Sequence, residues 1–207
     1  MSCVLTDTGT SSPGASRPTL TFPEAEAAAV AAAYQSAGVI LEYGSGGSTV
    51  LAGDLPGKTV FSVESDALWA DGLQVWFANN PPQSRVCIHA VDIGPTGEWG
   101  APVNQRGWRR YHQYPLSVWD RDDFQHPDVV LIDGRFRLAC LLAVLHKITR
   151  PVVALFDDYR NRKPYHRAEH LISPSSFIGR MARFDLTPRS LAPNDLALFV
   201  DAFSRSA

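Results

Sequence analysis

The chain is poor in cysteine, in net charge and in long apolar runs, and each shortage excludes a class of protein. Cys3, Cys87 and Cys140 are odd in number and widely spaced, which excludes a disulfide framework. Cys87 and Cys140 sit in apolar surroundings and read as reduced thiols of a cytosolic protein. No stretch has the apolar length of a membrane-spanning helix, and the first residues lack the basic start and apolar run of an export signal. A cytoplasmic chain without a membrane partner is therefore expected. The formal net charge of -2 argues against a broad nucleic-acid surface. What is abundant is apolar: 45% hydrophobic residues over 207 positions, enough for one substantial core.

One stretch organises the rest: Val39-Ile40-Leu41-Glu42-Tyr43-Gly44-Ser45-Gly46-Gly47-Ser48-Thr49. An apolar run too short for a helix, closing on a carboxylate and then a glycine cluster, reads as a buried parallel strand ending in a tight turn. Gly44 and Gly46 can take positive φ and let a bound molecule approach the backbone. The residues from Ser48 can open a helix capped by Gly47 or Ser48. Strand, ligand loop and helix form the opening unit of a doubly wound α/β domain. A dinucleotide fingerprint would need glycine where Thr49 stands, which weakens a nicotinamide-dependent oxidoreductase.

Around this unit, residues 1–19 are rich in Ser, Thr, Pro and Gly and read as a mobile tail, with a single domain over 20–207. Thr21-Phe22-Pro23-Glu24 looks like a capped helix start, and the Ala-rich run to Gln35 is helical up to Gly38. Thr59–Glu64 is a second strand, and 67–77 a helix with Leu68, Trp69, Leu73 and Trp76 on its apolar face. Val86–Val91 is a third strand leading to Asp92, with His89 a satisfied sheet residue. Residues 93–127 are irregular and rich in aromatics, either a cover over a pocket whose Arg109 and Arg110 grip an anion, or an insertion packed on the body. Asp128–Asp133 and Pro151–Asp157 repeat the strand-then-acid design, which would gather Glu42, Asp133 and Asp157 around one crevice. The segments 182–187 and 195–200 read as a closing pair of strands.

Two motifs mislead. Ala52–Thr59 matches a relaxed phosphate loop, but it joins a helix to a strand, the reverse of what that loop requires. His166-Arg167-Ala168-Glu169-His170 matches an inverted zinc-protease motif, yet the apolar stripe Tyr165, Ala168, Leu171 and Ile172 turns both histidines outward.

The pattern Glu42-x-Gly44-x-Gly46 resembles the first motif of class I S-adenosylmethionine-dependent methyltransferases, with Ser48 where a further glycine often stands. Glu42 would suit a cofactor bearing an ammonium and a sulfonium and repel a pyrophosphate. The resemblance runs from residue 21 onward. It implies a three-layer α/β/α Rossmann-like domain with a mostly parallel seven-stranded sheet and a C-terminal antiparallel hairpin. It assigns Glu42, Tyr43, Gly44, Ser45 and Gly46 to S-adenosylmethionine, Glu64 to the ribose hydroxyls, and Asp92 either to the adenine amino group or to capping the next turn.

The function expected is methyl transfer to an unidentified acceptor, an anionic small molecule among the candidates, with Asp133 facing it as the catalytic residue. A cofactor-binding protein without methyl transfer is the rival. Similarity to metal-dependent catechol-type O-methyltransferases further implies magnesium at Asp133 and Asp157. This chain, however, has Asp158 where that family has asparagine, and Phe136, between Arg135 and Arg137, where it has lysine.

Overall fold

Short strands that alternate with helices can pair in parallel only by crossing over the sheet, and that rule builds this chain. The computed structural model describes residues 16–205. Its strands are β1 (Val39–Tyr43), β2 (Thr59–Glu64), β3 (Arg85–Ala90), β4 (Val129–Ile132), β5 (Val152–Phe156), β6 (Ser176–Ile178) and β7 (Met181–Leu186). They form one seven-stranded sheet in the order β3-β2-β1-β4-β5-β7-β6. Only β7 runs against the rest, pairing antiparallel with β5 and β6. The helices are α1 (Glu24–Ser36), α2 (Gly47–Asp54), α3 (Ala67–Asn79), the single turn α4 (Gln113–Leu116), α5 (Arg137–Lys147) and α6 (Leu196–Ser204).

Strand alternation sorts the core into two layers. Leu41, Tyr43, Phe61, Val63, Val130, Ile132, Ala154 and Phe156 face α5, α6 and the aromatic segment. Ile40, Val60, Val129, Leu131 and Leu155 face the opposite way, onto Val30 and Tyr34 of α1 and Ala52 of α2. No helix among the described residues is long and apolar enough to cross a membrane.

Several local expectations change. The closing hairpin joins β6 to β7, and 195–200 is helical. Leu196, Leu198 and Val200 alternate as a strand would, but Leu198 and Ala202 are spaced for a helix and are buried. Pro193 opens that turn and Asp195 Oδ2 accepts from the Ala192 N–H at 3.2 Å. Thr21 caps nothing: α1 follows Pro23 with no side-chain cap. Leu68 is 83% exposed, and α3 instead buries Ala70 and Leu73. Of the tail expected over 1–19, residues 1–15 lie outside the described residues. Arg17 pairs with Asp54, and the Thr19 main chain packs so tightly on Gly47 that no Cβ fits there.

The phosphate-loop lookalike is a helix-to-strand turn, as its order required. Gly57 takes φ +72°, and the Lys58 ammonium donates to the Gln35 and Ala37 carbonyls, both at 2.7 Å, at the end of α1. In the zinc-protease lookalike, the His166 ring stacks on Tyr159 at 5.0 Å and its Nε2 meets the Tyr159 carbonyl at 3.1 Å.

The β6–β7 turn is fixed from α1. The buried Glu26 Oε1 accepts from the Arg180 N–H at 2.9 Å, beside Gly179, which takes φ +54°. Glu26→Ala should leave that N–H without its acceptor and cost about 1–3 kcal/mol, read as a lower urea midpoint at unchanged slope.

Candidate functional site

The sheet order reverses between β1 and β4, and ligands of doubly wound folds bind beyond the carboxyl ends of the strands at such a point. Here the two strand ends touch. Gly44 takes φ +104°, and a Cβ on it would lie 2.7 Å from the Gly134 nitrogen, so only glycine permits the approach. Gly46, by contrast, has nothing within 4 Å of where its Cβ would be. Its open face is where a ligand can lie against the backbone.

Beneath this loop is Glu42, fully buried. Because Glu42 shares the face of Ile40, alternation turns it toward α1 and α2 rather than into the crevice. Tyr34 Oη donates to Oε1 and Thr49 Oγ1 to Oε2, both at 2.6 Å. Thr49 Oγ1 in turn accepts from the Gly46 N–H at 2.9 Å. Burial pushes the Glu42 carboxyl above its ordinary range, and the hydroxyl bonds partly oppose that. Tyr43 goes the other way, into the core. Its hydroxyl donates to the Pro115 carbonyl at 2.8 Å and accepts from Trp119 Nε1 at 2.8 Å, so only its main chain borders the site.

Glu64 ends β2 beside the glycine loop. Its Oε1 accepts from the Ser65 and Asp66 N–H groups at 2.7 and 2.9 Å, and Oε2 from the Ser45 N–H at 3.2 Å. A carboxylate offers about four acceptor positions, which leaves capacity on Oε2. Burial raises its carboxyl pKa, against these backbone bonds. Ser45 also bonds Ser62 Oγ at 2.7 Å, and its carbonyl accepts from Trp69 Nε1 at 2.8 Å. Asp92 Oδ1 accepts from the Gly94 N–H at 2.8 Å, the bond of a turn cap, and Oδ2 pairs with Arg110.

The later part of the aromatic segment packs on the body of the domain. Tyr111, Tyr114 and Val118 are buried in the main core, with Tyr111 and Tyr114 packed on Phe136 at 4.8 and 5.5 Å. Gly100 closes over Glu64, taking a bond from Ser65 Oγ at 2.9 Å, while the neighbouring Trp99 is 82% exposed. Arg110 is paired with Asp92, and Arg109 lies over the Trp108 ring at 5.5 Å. His89 is satisfied as expected. Arg121, a donor only, meets Nδ1 at 3.2 Å, which leaves Nε2 to donate to Ser117 Oγ at 2.8 Å.

Across the switch point stand the acids of β4 and β5. Asp133 pairs with Arg137 at 3.1 Å, and Asp157 receives Arg180 Nε and Nη2 at 3.0 and 2.8 Å. Asp158, at φ +59°, takes Arg162 at 2.8 Å, Arg180 at 3.2 Å and Arg137 at 3.4 Å. Asp133 and Asp157 thus share one corner, and Glu42 stays below it. Guanidinium groups already neutralise the carboxylates that a divalent ion would use, and no group of three His, Cys, Asp or Glu is arranged for a metal among the described residues. The donor set does not fit magnesium. Burial pushes the Asp133 carboxyl up to about 7, with Asp157 and Asp158 adding to the rise and Arg137 opposing it.

Sequence reasoning missed Tyr34, Thr49, Ser62, Arg137 and Arg180 as partners. Period-two alternation could have found the first two, since it sends Glu42 to the α1 face. Nothing local marks Arg180, which reaches Asp157 only because β7 doubles back beside β5.

The strand order, the glycine turn after β1 and the acid ending β2 define a Rossmann-like methyltransferase fold. No protein-family model matches the sequence, and no curated protein matches it. Among solved structures, a methyltransferase-like protein from Silicibacter pomeroyi is 51% identical, with a TM-score of 0.89 over 92% of this chain and 99% of that one. The chain belongs to the class I S-adenosylmethionine-dependent methyltransferase-like family. Two more distant structures share the fold at 14% identity. They are the cofactor-bound Rv0187 from MTB, with TM-score 0.57 over 86% of this chain and 87% of that one, and the O-methyltransferase TomG from Streptomyces achromogenes in complex with SAM, with TM-score 0.53 over 83% and 82%.

Asp133 binds its proton more tightly folded than unfolded, so the stability it contributes is complete below the ordinary carboxylate range and is lost as pH rises through about 7. The melting temperature of Asp133→Asn should therefore gain on wild type between about pH 4 and pH 7. A constant gap across that range would remove the shifted ionisation.

Proposed function

We propose that the protein is an S-adenosylmethionine-dependent methyltransferase, with the cofactor across the ends of β1 and β2 and the acceptor over β4. The observation that carries this reading is the pairing of Gly46, open above the glycine loop, with Glu64, whose Oε2 retains acceptor capacity for a ribose hydroxyl. The donor set fits the cofactor: exposed backbone on one side and a carboxylate for the sugar on the other. The family membership and the SAM complex of TomG support the choice.

In methyl transfer the acceptor heteroatom attacks the methyl carbon in line. The new bond forms as the carbon–sulfur bond breaks, and the acceptor's proton passes to a base. Orientation supplies much of the rate. Asp133 is the base in this reading, because a proton affinity near neutrality lets it be ionised before the step and protonated after it. The arginine partners of Asp133, Asp157 and Asp158 support a metal-free acceptor side over a magnesium-dependent one. The free thiols Cys87 and Cys140 agree with work in the cytoplasm.

S-adenosylhomocysteine should bind in preference to NAD and raise the melting temperature. Glu64→Ala should weaken that binding by about 1.5–3 kcal/mol, roughly ten- to hundredfold, on loss of a charged acceptor. Calorimetry finding the two proteins equal would sink the ribose assignment. With labelled cofactor and a panel of acceptors, transfer should rise with pH through about 7 in wild type and lose that limb in Asp133→Asn. Cofactor binding with no transfer to any acceptor would instead leave a binding protein.

A further inference from the structure

The loop after Asp133 carries a cation that the fold itself does not use. Arg137, Arg162 and Arg180 are consumed by Asp133, Asp157 and Asp158, and Arg110 by Asp92. Arg135 differs. Its guanidinium makes no hydrogen bond or ion pair among the described residues, and its Nε is sealed from solvent with no acceptor. Native proteins rarely leave a buried donor orphaned, and the two Nη groups of Arg135, which are neither sealed nor partnered, are the donors open to a group that arrives with a ligand.

The backbone around Arg135 is held firmly. Gly134 abuts Gly44, the Arg135 N–H meets Tyr114 Oη at 3.4 Å, and its carbonyl accepts from Cys140 Sγ at 3.4 Å. The next residue, Phe136, is fixed at φ +52°, a conformation unusual for a bulky side chain, by packing on Tyr111 and Tyr114. α5 then begins with no side-chain cap, so the positive end of its dipole lies beside Arg135. An unpaired, partly buried guanidinium on a rigid loop, two residues past the candidate base, is suited to bidentate recognition of a planar anion.

We propose that Arg135 is the anion-binding residue of the acceptor site, and that the acceptor is a small molecule bearing a carboxylate or phosphate. The acceptor role rests on the methyltransferase reading above. A small molecule is favoured over a nucleic acid because Arg110, Arg137, Arg162 and Arg180 are already paired with acids and add little to a track for a phosphate backbone.

Calorimetry with benzoate, inorganic phosphate and neutral benzamide, on protein with and without S-adenosylhomocysteine, tests this. One of the two anions should bind and benzamide should not, and which anion binds identifies the acidic group. Arg135→Gln should weaken the anion at least about tenfold, and Arg135→Lys should recover part of the loss. Arg109→Gln should change nothing, and S-adenosylhomocysteine affinity should stay within about twofold throughout. The proposal is overturned if neither anion binds, if Arg135→Gln binds as wild type does, or if that variant loses S-adenosylhomocysteine equally, which would give Arg135 to the cofactor. Single-stranded RNA competing with the anion at far higher affinity would overturn the small-molecule assignment. Failure of S-adenosylhomocysteine to bind wild type would instead remove the methyltransferase reading, and the acceptor role with it, whatever the anion does.

Discussion

A carboxylate buried at the end of the central strand sets the geometry of everything above it. Glu42 loses its hydration entirely, and such a group is tolerated only where donors replace the lost water. Tyr34 comes from α1 and Thr49 from α2, so the acid ties both helices to β1. Thr49 then holds the Gly46 N–H, and Ser62 of β2 lies within hydrogen-bond reach of both Thr49 and Ser45. The glycine loop is thus shaped from below, which leaves its upper face free for a ligand.

Above that floor the carboxyl edge of the sheet has two unlike halves. Over β1 and β2 it is backbone and one carboxylate, with Gly100 and Trp69 closing in from the flanking segments. Over β4, β5 and the hairpin it is an alternation of acids and arginines. Arg180 is central there, because its guanidinium holds Asp157 and Asp158 while its N–H is held by Glu26 of α1. Burial, with Asp157 and Asp158 adding to it, pushes the Asp133 carboxyl up to about 7 despite Arg137. The side proposed for the acceptor thus carries Asp133 and paired charges, and the side proposed for the cofactor carries polar backbone.

The segment from 93 to 127 joins the halves. Tyr114 is inserted between the ends of β2 and β4, with its hydroxyl 3.3 Å from the Val63 carbonyl and against Gly134. The later part of the segment fills the core, which positions its earlier part, with the exposed Trp99, at the rim.

The sequence by itself determined the parallel strands, the glycine turn after β1 and the acid ending β2. Each of these is written in contiguous residues: a short apolar run, a glycine cluster, a carboxylate where the run stops. It also carried enough to place Glu42 on the α1 face, through its alternation with Ile40. Only the tertiary structure decided that 195–200 is helical, since Leu196, Leu198 and Val200 alternate as a strand would and it is the burial of Leu198 and Ala202, four residues apart, that selects the helical period. Only it decided that arginines stand where a magnesium site was expected. Arg137 is local to Asp133, but Arg180 is 23 positions from Asp157 and meets it because β7 reverses direction beside β5. Spacing along the chain carries no information about which cation will face an acid across a strand pairing, and the chemistry of this corner depends on that pairing.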